Sequence, residues 1–160
     1  MPSSNDIDTL SPERAEVLGR ELRILLSDVF ALYIKTKNFH WHMRGRHFRD
    51  YHLLLDEQGD QLFRMTDEIA ERGRKLGAKS IHSVGEIGRL QRIKDNERTG
   101  LTSEEMLLAL LADNKQLVLS MRIAHEKCDE HRDVATTSLL ENWIDETEQR
   151  CWFLAECLGE

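Results

Sequence analysis

No proline occurs after Pro12, so nearly the whole chain lacks the one side chain that breaks a helix from within. The remainder is rich in Leu, Ala, Glu, Arg and Gln, all good helix formers, with few β-branched runs. An all-α fold is the expectation. At 160 residues the chain has the size of one domain able to bury a substantial core without staples.

Helix boundaries can be read from their caps. Ser11 before Pro12 has the form of an N-cap with proline at the first helical position, opening a helix with Val17, Leu18, Leu22, Leu25, Leu26, Val29 and Leu32 at helical spacing. It should run to about His40. The segment Met43 to Arg46, containing Gly45, interrupts the pattern, which resumes through Phe48, Leu55, Leu62, Met65 and Ile69 and stops near Gly77. The connection beyond Gly77 is too long for a simple hairpin, and Ser83 with Glu86 suggests a capping box opening a short helix inside it. Thr102 with Glu105 makes a second capping box for a helix to about Lys127, and Asp133 can cap a last one carrying Leu139, Leu140, Trp143, Ile144, Phe153, Leu154 and Leu158. Two helix pairs joined by a long crossover is the ferritin-type topology: a four-helix bundle with a short extra helix between helices 2 and 3. Residues 1–10 read as a flexible N-terminal tail and residues 11–160 as the folded domain.

Charge and cysteine content narrow the class. The net charge of −7, with 32% charged and 40% hydrophobic residues, describes an acidic globular chain. No apolar run approaches the roughly 20 residues of a membrane span, and the polar start Met1 to Leu10 lacks a signal-peptide core, which points to cytoplasmic residence. Cys128, Cys151 and Cys157 are odd in number and match no zinc spacing, so they read as reduced packing residues.

Chemistry concentrates between Lys37 and Gly77. His52 and Asp56 lie four residues apart on the second helix, as do Asp67 and Glu71, so each pair projects from one face and can grip a metal. Such pairs are also common on solvated helix faces, so spacing alone is weak support. Asp56 and Asp67 are eleven residues apart, about 16 Å along a helix axis, so no single metal centre reaches both pairs. If both serve one centre they come from two chains, and antiparallel two-fold pairing gives two equivalent centres per dimer. His40 is close enough in sequence to fold back and add a nitrogen, making a shell that suits iron and related divalent metals better than thiolate-loving ones. No Glu-x-x-His pair occurs, which argues against the usual di-iron centre within one chain.

His40-Trp41 followed by Gly45, Phe48, His52, Asp56, Asp67, Ala70-Glu71-Arg72 and Leu76-Gly77 resembles the signature of the Dps family, the DNA-binding proteins from starved cells or mini-ferritins. The likeness runs along essentially the whole chain, to Ala135-Thr136 and Trp152. It implies a dodecameric cage that oxidises Fe(II), preferentially with hydrogen peroxide rather than oxygen, stores the ferric mineral and protects the cell from oxidative damage. It also implies iron ligands at His40, His52 and Asp56 of one subunit and Asp67 and Glu71 of its partner, with Lys37 and Trp41 lining the centre and Trp41 acting as a sink for stray oxidising equivalents.

The chain departs from the family at several points. His42 stands where asparagine is usual, and reads as an exposed or hydrogen-bonded histidine in preference to an extra ligand; His47 has similar status. Ser138 stands where many members carry an acid near the iron-entry pore, which Asp133, Glu141 and Asp145 would have to keep negative unless they form an ordinary solvated face. His125 and His131 read as surface residues near a helix boundary. Members that condense DNA do so with Lys/Arg-rich tails, whereas residues 1–12 hold no Lys or Arg and two aspartates, and the chain ends Glu156-Cys157-Leu158-Gly159-Glu160. Twelve such acidic copies would repel DNA at long range. Nucleoid binding with incidental metal binding is therefore the alternative, and is not favoured.

Overall fold

The computed structural model describes residues 11–159, and the tail read at residues 1–10 lies outside the described residues. Among the described residues five helices run in order: α1 (Pro12–His42), α2 (Phe48–Lys75), α3 (Val84–Leu90), α4 (Ser103–Glu130) and α5 (Val134–Leu158). There is no strand among the described residues. The long helices pack chiefly as the pairs α1–α2 and α4–α5, joined through α1 against α4. Their shared core holds Leu18, Leu22, Leu25, Val29 and Leu32 of α1, Leu55, Leu62, Met65 and Ile69 of α2, Leu107, Leu110, Leu117 and Met121 of α4, and Leu140, Trp143 and Leu154 of α5. Val17 and Phe153 lie on the periodic stripes yet stay partly exposed. No helix is long and apolar enough to cross a membrane among the described residues.

The ends of the helices follow from local chemistry. Ser11 Oγ accepts from the backbone of Arg14, and Thr102 with Glu105 forms a full reciprocal capping box. At Ser83 the box is only half made: its hydroxyl accepts from the Glu86 amide, but the Glu86 carboxylate accepts from the amide of His82, one residue earlier. Gly77 ends α2 with φ +85°, its amide bonding to Arg74 and that of Ala78 reaching back to the carbonyl of Gly73, which satisfies two orphan carbonyls. α4 ends the same way on Arg132, at φ +58° without being glycine, so the three-residue turn into α5 carries some strain.

The crossover is fastened at two points. The buried Asp28 of α1 accepts from the amides of Arg92 and Ile93 and from the Arg92 guanidinium, anchoring Ile93 in the core. Gly19 lets the chain beyond α2 touch α1, because a Cβ there would stand 2.1 Å from the Cβ of Ala78.

Arg72 and Asp133 join the two helix pairs. Asp133 caps α5 through the amide of Thr136, bonds to the Thr136 hydroxyl, and accepts from the Arg72 guanidinium at 2.8 Å; Arg72 also donates to Thr136 Oγ1. The Asp133 side chain is 4% exposed and spent on these bonds, so of the three acids expected either to keep a pore negative or to form an ordinary solvated face it fits neither reading. Trp143 of α5 donates to Glu68 of α2, and the buried Arg150 of α5 donates to Asn114 of α4 and Thr147. Burial pulls the Arg150 pKa down to about 10.

The cysteines are free and only partly fit a packing role. Cys128 is buried, with its pKa pushed up to about 12 by burial, Cys151 is intermediate and Cys157 is exposed. Their different depths follow from their places on α4 and α5: Cys128 faces the core, whereas Cys157 sits in the last turn of the final helix.

Candidate metal centre

The turn between α1 and α2 builds the first half of the site. Met43, 4% exposed, pins the loop into the core; Gly45 takes φ +112°, and the Phe48 amide bonds to its carbonyl. This tight return lays the last turn of α1 against the start of α2. His40 and His52 meet there, rings stacked at 3.8 Å, with Phe48 stacked on the outer side of His52 at 4.9 Å.

Each imidazole is held by the other residue's backbone. His40 Nδ1 lies 2.7 Å from the carbonyl oxygen of His52, and His52 Nδ1 lies 2.8 Å from that of His40. A carbonyl oxygen only accepts, so each Nδ1 carries the hydrogen. In the neutral rings each Nε2 therefore keeps its lone pair, the tautomer a metal requires.

Asp56 stands one turn beyond His52, with Oδ1 3.6 Å from His40 Nε2 and 2.7 Å from Lys37 Nζ. The hydrogen bond from the Lys37 ammonium holds the Asp56 pKa below the ordinary aspartate value, and partial burial opposes that only in part. The structure thus gathers four of the sequence-expected residues: Lys37, His40, His52 and Asp56.

Asp67 and Glu71 lie further along α2 on its exposed surface, outside this group. Among the described residues, no three His, Cys, Asp or Glu side chains of one chain are gathered closely enough to hold a metal. Trp41 is 61% exposed beside the cluster. His42 is turned away, because residues two apart on a helix do not share a face. Its Nδ1 bonds to the carbonyl of Asn38, and it lines a cavity of about 370 Å³ with Phe39, Arg44 and Arg98. His47 occupies the N-cap position of α2 without making a cap bond and tilts against Tyr51.

One histidine reading changes at the other end of the molecule. His125 is half-buried within α4 and pairs with Glu141 across the α4–α5 groove at 2.9 Å, so it is an inter-helix contact rather than a boundary residue. Asp145 shares that groove with Arg122 and Glu148, and Ser138 is exposed. One contributor to the site went unread in the sequence: Gly59, over which Lys37 lies. A glycine inside a long helix, disfavoured on propensity, was the available signal.

This bundle, with its metal-type side chains on the first helix pair, defines a ferritin-like protein, and the ferritin-like domain family matches residues 20–160. Within that class the chain belongs to the Dps family. It is 30% identical over 146 residues to DNA protection during starvation protein 1 of Deinococcus radiodurans, covering 91% of this chain and 69% of that protein. Among solved structures it is similar to a Dps protein from Vibrio cholerae, described as a member of a broad superfamily of ferritin-like diiron-carboxylate proteins. That likeness has a TM-score of 0.90 at 25% identity and covers 99% of both chains. It is also similar to Dps from Thermosynechococcus elongatus, with a TM-score of 0.87 at 26% identity, covering 90% of this chain and 91% of that one.

Proposed function

We propose that two copies pair antiparallel about a two-fold axis, bringing His40, His52 and Asp56 of one against Asp67 and Glu71 of the other, and that Fe(II) is oxidised in the two pockets so formed. The observation that carries this reading is the reciprocal His40–His52 pair. Two imidazoles fixed in the ligating tautomer beside an ionised carboxylate make half of a metal shell, and the missing acids stand exposed on the same helix, Asp67 about 16 Å and Glu71 about 22 Å beyond Asp56.

The chemistry follows from the donor set. Imidazoles fix the geometry, while Asp56, Asp67 and Glu71 supply negative charge that favours Fe(III) over Fe(II) and so draws the electron off. Two Fe(II) ions give up one electron each, and with two protons these reduce one hydrogen peroxide to two waters; the preference for peroxide over oxygen is the one that the resemblance to the Dps family implies. Trp41, exposed beside the centre, takes up stray one-electron oxidising equivalents. The ferric product is sequestered as mineral inside a dodecameric cage of these dimers, within the cytoplasm. DNA protection, the role in the names of the relatives, is served by removing iron and peroxide, since a net charge of −7 per chain opposes direct contact with phosphates.

Adding Fe(II) without air and then peroxide tests this. A soluble ferric core should form, with loss of Fe(II) complete on mixing and no precipitate. Precipitation at the rate seen with protein-free buffer would reject the reading.

A further inference from the structure

We infer that Gly59 is a positioning residue for the metal centre: its bare Cα forms the groove through which Lys37 crosses α2 to occupy Asp56 until a divalent metal displaces it. This rests on the reading of the centre above.

Gly59 lies within α2, where a glycine is among the worst helix formers. It is nevertheless buried, and what covers it is the stem of Lys37. A Cβ at this position would meet Lys37 Cδ at 3.0 Å and Cγ at 3.8 Å, with Tyr33 Cε2 at 4.0 Å. The stem has little freedom to retreat, because its far end is tied to Asp56 Oδ1 at 2.7 Å. A side chain at Gly59 therefore presses on Lys37, which must give by a few tenths of an ångström for alanine and by more for a larger residue, and so loosens that ion pair.

The pair matters because Lys37 holds the same oxygen that faces His40 Nε2 at 3.6 Å, where a shared metal would bind. An ammonium there balances the carboxylate in the metal-free site and competes with an incoming cation for it. Asp56 is about half exposed, so the competition is modest in size. It acts on metal affinity, not on the fold.

The test uses Co(II), which peroxide-free buffer leaves unoxidised, titrated calorimetrically into the assembled protein. Gly59→Leu, which fills the groove, should tighten Co(II) binding roughly two- to fivefold, and Gly59→Ala should act in the same direction by less. Lys37→Met should tighten it as much as Gly59→Leu, and the double variant should gain nothing over either single one, since both remove the same competitor. Gly59→Ala keeps the test valid should leucine impair folding, because alanine improves helix propensity. Unchanged or weaker Co(II) binding in the Gly59 variants would overturn the inference, as would additive gains in the double variant. No Co(II) uptake by the unsubstituted protein would overturn the centre itself and this inference with it.

Discussion

Replacing Asp67 and Glu71 together by alanine should lower the initial rate of Fe(II) oxidation by at least about a hundredfold, the scale on which even outer-shell groups around a metal act, while leaving the histidine pair in place. Both carboxylates are exposed on the single chain and neither lies in its core, so their loss should leave the circular dichroism spectrum intact. The effect is expected to be large because the imidazoles alone supply no negative charge: the remaining shell of two nitrogens and one carboxylate stabilises Fe(III) too weakly to draw the electron off. Stopped-flow absorbance of the ferric product would check this. An unchanged rate would mean that iron is oxidised elsewhere.

The second large effect concerns stability. Asp133→Ala should cost about 3–5 kcal/mol, read from urea unfolding at matched protein concentration, since removal of one partner leaves the Arg72 guanidinium uncompensated. Part of that loss is the N-cap of α5, on the order of 1 kcal/mol. Asp133→Asn retains a cap and most hydrogen-bonding capacity but not the charge, so it should recover part of the loss. Because Arg72 directly follows Glu71, the proposed ligand, the same bond ties α2 to α5 at the point where that carboxylate leaves it. A cost near that of an ordinary surface substitution would show that the ion pair is dispensable.

The bundle could be read in the chain wherever its determinants are local. Ser11-Pro12, Thr102 with Glu105, Gly77 and Asp133 each end a helix through partners within five residues, and every one of them does so in the structure. Ser83 with Glu86 shows the limit of such reading. The residue types and spacing suit a capping box, but the extended approach to α3 puts the amide of His82, not Ser83, in front of the carboxylate.

Contacts between distant segments were not legible. Asp133 can be read from the chain as the cap of α5, but not as the partner of Arg72, 61 positions away. His125 gains its meaning from Glu141, and Gly59 from Lys37, by the same kind of remote pairing. For the site, the four-residue spacings located His52, Asp56, Asp67 and Glu71 on α2, whereas the mutual backbone hydrogen bonds that fix both imidazole tautomers depend on the turn geometry at Gly45 and appear only in three dimensions.

Mixing two inactive proteins tests most directly whether the pocket belongs to two chains. One carries His40→Ala with His52→Ala, the other Asp67→Ala with Glu71→Ala, and the two are dissociated, combined in equal amounts and reassembled. In a mixed dimer one pocket collects every lesion and the other none; random pairing makes half the dimers mixed, so about a quarter of the original Fe(II) oxidation rate should return. No recovery above the separate proteins, with mixed dimers shown to be present, would contradict a shared centre.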